Sequence, residues 1–279
     1  MSDLDRNPGG FGGAMTPAET AAIDAGLRAY MVRVYTYMLI GLAITGLAAF
    51  AVCRVSVTER LADAAYVVRA GRVIPVPAGL VVQSRDLLLT GVGHAVFVSP
   101  LKWAIIFAPL ALVLALSFGI GRLRPALAQA LFWLYAGMVG LSLGSLFLVY
   151  AHTSIARVFF IAAAAFGALS LWGSTTQRDL SGLRLFAIMG LVGAVIAGLV
   201  NLSLDSSPLQ WALSLIGVLA FSGLTAWDQR QLRDEYLYGA MDGATAERPA
   251  ILGALSLYLD FVNLLVRPAG TGRPRVAES

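Results

Sequence analysis

Cysteine and histidine are scarce in this chain, and charge is thin. The single cysteine, Cys53, excludes an intramolecular disulfide and any CxxC metal site, and two histidines, His94 and His152, are too few for a histidine-rich metal centre. No metal and no other cofactor is expected, so stability must come from packing. Charged residues make up only 13% of the 279, against 58% hydrophobic ones, a balance that excludes a soluble core and describes a chain whose solvent is lipid. The net charge is +4, yet the arginines lie between apolar runs rather than on one amphipathic face. They read as topology signals and headgroup contacts, which leaves nucleic acid unsupported as a partner and the bilayer as the expected one. The first 26 residues are polar, Gly-rich and aperiodic, with no apolar stretch and cleavage site of a removable signal, so the first membrane helix is expected to serve as the targeting element.

What the chain has is apolar length. Uncharged or nearly uncharged runs cover 34–53, 103–121, 126–150, 158–172, 185–202, 211–227 and 251–266. A helix of about 20 apolar residues crosses a ~30 Å hydrocarbon layer. The reading is an all-α, polytopic membrane protein: a flexible tail at 1–30, a seven-helix membrane domain at 31–268, and a tail at 269–279. The last run, at ~1.5 Å per residue, gives only ~24 Å of helix and is more easily housed inside a bundle than against lipid. A long first loop at 54–102 is the one substantial non-membrane element, with a helix expected around 58–68 and short extended pieces in the Val-, Ile- and Pro-rich stretch that begins at Arg72.

Arginine placement sets the orientation. Arg122 and Arg124 follow the second run, Arg178 and Arg184 the fourth, and Arg230, Arg233 and Arg248 the sixth, which puts these connections and the N-terminus in the cytoplasm. Against this, the first loop carries Arg54, Arg60, Arg69, Arg72 and Arg85, and the C-terminal tail carries Arg273 and Arg275. Long loops obey the rule less well.

Two carboxylates stand where apolar sequence surrounds them. Asp260 sits in the last run, and a charge at the centre of a membrane helix costs about 2.5–3.5 kcal/mol on insertion scales. Ser256, Asn263 and Arg267 fall near the same stripe at helical spacing, a polar face that must look into the protein or a wet cavity, either as a structural hydrogen-bond cluster or as a functional site. Asp228 lies at the inner end of the sixth run, on the face of Thr225, Leu224, Phe221 and Gly217, and is either a buried group or an interfacial one near Arg230. If the two carboxylates met, their repulsion would be about 4 kcal/mol at ~4 Å with an effective dielectric of roughly 20. They would share one proton, and its loss would open a latch or recruit a cation. Two Asp are too few oxygen ligands for tight Ca2+ binding, but suit a transient permeation site.

At these residues the sequence resembles the transmembrane Bax inhibitor motif family. The resemblance runs from Val34-Tyr35-Thr36-Tyr37 and the stretch 41–46, through Gly140-Leu141-Ser142-Leu143, Val149-Tyr150 and Phe166-Gly167-Ala168. It continues through Arg178-Asp179-Leu180-Ser181, Asn201 and Thr225-Ala226-Trp227-Asp228-Gln229 to the block from Gly253 to Leu265, which is the most specific part. It implies a seven-helix bundle with the seventh helix at the centre. It further implies that Asp228 and Asp260 match the family's paired aspartates, the proton sensor of a pH-dependent calcium leak in characterised bacterial relatives, with Ca2+ and protons as transient partners in a bacterial inner membrane. An arginine at the inner end of the second helix is linked to that pair in the relatives, and Arg122 is the positional match. The chain departs from the family in its long first loop and in its ending, where Val266-Arg267-Pro268-Ala269-Gly270 replaces a longer apolar finish.

Two other classes compete. Gly140-Leu141-Ser142-Leu143-Gly144 matches the G-x-S-x-G pattern of serine hydrolases, with His152 soon after, but that motif works on a strained strand-to-helix turn, whereas inside an apolar helix Gly140 and Gly144 make a GxxxG packing face. No enzymatic activity is expected. The alternative to a leak is a non-conducting interaction protein that modulates a membrane protease or stress-response partner.

Overall fold

A computed structural model of the chain describes residues 16–58, 60–69, 72–76, 87–119, 124–149, 152–176, 178–204, 206–241 and 247–269. Eight helices follow one another among them: α1 (Pro17–Ser56), the short α2 (Gly91–Phe97), α3 (Leu101–Gly119), α4 (Pro125–Val149), α5 (His152–Thr175), α6 (Ser181–Leu204), α7 (Ser207–Met241) and α8 (Glu247–Ala269). Each of the seven apolar runs falls on one of the longer helices. Six helices are long and apolar enough to cross a membrane on their own. A seventh crossing is reached when α2 and α3, bent by 53° at their junction, are taken as one span.

Helix ends differ from expectation where local chemistry extends them. α1 begins at Pro17, inside the stretch expected as a flexible tail to residue 30, because the Thr16 side chain accepts from the Glu19 N–H while the Glu19 carboxylate accepts from the Thr16 N–H, and Pro17 fills a first-turn position that needs no donor. At 40 residues it measures ~60 Å, twice the hydrocarbon thickness. α8 begins at Glu247, four residues before the apolar run, with Pro249 tolerated in its first turn. Its 23 residues give ~34 Å, so the last helix is long enough to span.

The expected helix at 58–68 is absent among the described residues. A single 3-10 turn at Leu61–Asp63 leads instead into β1 (Tyr66–Arg69), which pairs antiparallel with β2 (Arg72–Pro75) and β3 (Leu87–Leu89) in the order β2-β1-β3. The adjacent β-branched pairs Val67-Val68 and Val73-Ile74 outweigh the weak helical signal once β1 pairs with both β2 and β3. The sheet is tied to the end of α1: the Thr58 N–H donates to the Leu88 carbonyl at 3.2 Å, and the Thr90 N–H to the Ser56 carbonyl at 3.0 Å. Thr90 then caps α2 by accepting from the Gly93 N–H at 3.1 Å.

α8 is the axis of the bundle. Within its apolar window 56% of residues are buried, against 11% for α6, and it packs against α1, α4, α5 and α7. Tyr258 fixes this arrangement. Its hydroxyl meets Thr45 Oγ1 at 2.6 Å, and Thr45 also reaches the carbonyls of Gly41 (3.0 Å) and Ala136 (2.9 Å), so one hydroxyl pair joins α8, α1 and α4. Phe132 and Tyr135 meet the Tyr258 ring edge-on at centroid distances of 5.6 and 5.7 Å.

The G-x-S-x-G run lies inside α4 as a packing face. A Cβ on Gly140 would collide with the Thr45 carbonyl and the Ala48 side chain, one on Gly144 would collide with Val52, and the Ser142 hydroxyl donates to the Ile105 carbonyl at 2.9 Å. Its backbone is helical throughout, not the strained turn that a nucleophilic serine needs. Gly140→Val is therefore expected to destabilise the bundle by about 1–3 kcal/mol. By contrast, Gly46→Ala, where nothing lies within 4 Å of the added carbon, should be neutral or stabilising by about 0.5–1 kcal/mol, both read from reversible unfolding in detergent.

Candidate functional site

The stretch Thr225-Ala226-Trp227-Asp228-Gln229 lies in the middle of α7, where close backbone approach draws three helices together. A Cβ on Gly173 of α5 would strike the Ala226 backbone, so α5 can lie against α7 only because residue 173 has no side chain. A Cβ on Gly223 would lie 3.3–3.7 Å from Leu183 and Ala187 of α6, and one on Gly253 of α8 would collide with Leu232 of α7. Asp228 and Asp260 are thereby turned toward one another across the α7–α8 contact.

The two carboxyl groups are in side-chain contact. Asp260 is 5% exposed, touches the fully buried Thr225, and keeps its Oδ2 without a hydrogen-bond partner among the described residues. Thr225 has one hydroxyl hydrogen, and it donates to the Phe221 carbonyl at 2.8 Å. A proton on the carboxyl pair is therefore the group best placed to satisfy the contact between Asp228 and Asp260. Asp228 is half-buried, at the edge of the site.

The cation beside Asp228 is Arg184, in the first turn of α6. Its guanidinium lies 4.1 Å from the centroid of the Trp227 ring, next in sequence to Asp228. Arg184 is held by the α6 start, where Asp179 accepts from the Ser181 N–H at 2.9 Å and the Ser181 hydroxyl at 2.8 Å. These two bonds hold the exposed Asp179 carboxyl below its ordinary range, and they explain the Arg178-Asp179-Leu180-Ser181 run as a helix cap.

Arg230, the cation expected near Asp228, is engaged elsewhere. It pairs with Asp234 at 3.4 Å and donates to the Arg178 carbonyl, while Arg233 donates to the Ser174 carbonyl at 2.8 Å. Both arginines serve the C-terminal end of α5, where free carbonyls favour cations.

Of the residues singled out in the sequence, Asp228 and Asp260 are brought together. Asn263 instead donates to the Leu259 carbonyl of its own helix at 2.8 Å, and Ser256 is half-buried on α8. Arg122 lies outside the described residues, as does the Arg267 side chain. Arg184 carried only a topology signal in the sequence, and no spacing within one helix could connect it to a carboxylate on the next.

Comparison with known proteins identifies the family. The sequence profile of the family described as "Inhibitor of apoptosis-promoting Bax1" matches residues 27–267. The chain is 39% identical over 251 residues to the Rickettsia prowazekii protein RP147, covering 90% of this chain and 92% of the relative. It is 37% identical over 266 residues to a Caulobacter vibrioides protein, covering 95% of each. Inner membrane protein YbhL of Escherichia coli is 39% identical over 244 residues, covering 87% of this chain and 90% of the relative. The chain thus belongs to the Bax1-I family, as a multi-pass protein of the bacterial inner membrane.

Proposed function

We propose that this protein is a pH-sensitive calcium leak channel in which Asp228 and Asp260 share one proton and act as the sensor of the gate. The observation that carries this reading is the contact between the two carboxyl groups at the buried α7–α8 interface, with one oxygen of Asp260 left unpartnered. A carboxylate pair with one proton holds the helices together through that proton; without it, two like charges face each other in a low-dielectric interior. The ionised pair attracts a divalent cation, and oxygen ligands suit Ca2+. Two carboxylates hold the ion weakly enough for release, as conduction requires.

Arg184 supports the same mechanism from the cytoplasmic side, because its charge favours the ionised pair. Arg122, the positional match that the resemblance offers as a latch partner, lies outside the described residues and remains part of the proposal.

Purified protein in calcium-loaded gradients across proteoliposomes tests the reading directly. Flux should rise as pH rises through the step at which the shared proton leaves, and Asp260→Asn should abolish that dependence. Absence of flux at every pH contradicts conduction and favours the non-conducting partner of a membrane protein. Arg184→Gln, which removes the attraction for the ionised pair, should move the rise in flux to higher pH, and an unchanged profile would separate Arg184 from the sensor.

The same pair sets a stability signature. Ionisation of both groups adds repulsion inside the fold, so wild-type thermal stability in detergent should fall as pH rises through the flux step. The Asp260→Asn protein should lack this component, which differential scanning fluorimetry across pH reads.

A further inference from the structure

A lateral groove of about 480 Å3 opens between α1 and α5, with Phe261 of α8 at its floor. Its walls are apolar, including Met38 and Leu42 of α1 and Phe159 and Phe166 of α5. Leu39 and Leu171 at its rim are 62% and 69% exposed, so its mouth faces what surrounds spanning helices, the hydrocarbon of the bilayer. The volume is that of a small-molecule site.

One end of the groove is polar. Tyr35 and Ser170 both line it, and the Tyr35 hydroxyl faces the Ser170 hydroxyl and the Gln229 amide. Ser170 is 5% exposed and Gln229 is fully buried, yet Ser170 Oγ and both the Nε2 and Oε1 atoms of Gln229 lack a hydrogen-bond partner among the described residues. Buried polar groups in folded proteins are nearly always satisfied, and the Tyr35 hydroxyl, with one hydrogen to donate, cannot satisfy a hydroxyl and a whole amide together, so the polar end calls for a further partner. Water alone answers only part of this, because it would satisfy the polar end but leave an apolar volume that stays dry.

We propose that this groove binds the acyl chain of a membrane amphiphile with a neutral, hydrogen-bonding polar group, the chain lying along α1 and α5 and the polar group reaching Tyr35 and Ser170, behind which the Gln229 amide lies. The three groups offer donors and acceptors without charge, so an alcohol, ester or amide head is matched. A charged head would be buried there without a counter-ion. The site is independent of whether the protein conducts ions.

Photo-cross-linking with a diazirine-bearing monoacylglycerol tests the proposal, using the full chain in nanodiscs and mapping adducts by mass spectrometry. Saturable labelling of α1 and α5 peptides, competed by monoolein, is expected. Gly167→Leu fills the groove from a position where an added Cβ meets nothing within 4 Å, and should cut labelling at least about tenfold. Ser170→Ala, which leaves the groove open, should weaken monoolein competition by roughly three- to tenfold through one lost hydrogen bond. Lysophosphatidic acid should compete at least tenfold less well than monoolein. Labelling that never saturates, spreads over all lipid-facing helices or is unchanged in a folded Gly167→Leu protein would overturn the proposal and leave annular lipid, with water at the polar end. Equal competition by the anionic lipid would overturn the neutral head.

Discussion

A carboxylic acid in the middle of a spanning helix has to be answered by something, and the architecture around Asp260 is arranged to answer it. Lipid offers neither water nor a counter-charge, so the helix that carries Asp260 must lie inside the bundle, where four other helices pack around it. The partner it finds there is another carboxylate. On the proposed reading the two groups are compatible only while a hydrogen ion is available to them, which would make the packing of α7 on α8 conditional on solution chemistry in a way that the rest of the bundle is not.

That rest is held by contacts indifferent to pH. Thr45 and Tyr258 clasp α1, α4 and α8 through hydroxyls and backbone carbonyls, while glycines at 140, 144 and 173 let backbones meet directly. Guanidinium groups of Arg230 and Arg233 anchor α7 to the end of α5. On the proposed reading, movement would fall at the α7–α8 seam, where Arg184 at the start of α6 acts on Asp228 through its charge.

How much of this could be read from the residues alone follows from how far each interaction reaches along the chain. Apolar runs located every spanning helix because the bilayer imposes a length on them, and the glycine pair around Ser142 was legible as a packing face since its spacing lies within one helix turn. Helix ends were less visible: Thr16 and Glu19 extend α1 through a cap of four residues that hydropathy does not register. The strand at Tyr66–Arg69 depends on partners as far away as Leu89, so local propensity favoured the wrong element. Asp260 announced itself by its surroundings. Arg184 did not, because an arginine at a membrane boundary looks the same whether it meets a headgroup or an aspartate on the neighbouring helix. Nor did Gln229, whose unsatisfied amide becomes visible only when the helices around it are in place.

Infrared difference spectroscopy of the protein in lipid bilayers, titrated from acid to alkaline pH, looks at the shared hydrogen ion itself through the carbonyl stretch of a protonated carboxylic acid. The account requires one such band that persists at pH values where exposed carboxyls are ionised, disappears in a single further step, and is lost or displaced in Asp260→Asn. Two carboxylates already ionised at mildly acidic pH, or a band unaffected by that substitution, would contradict it.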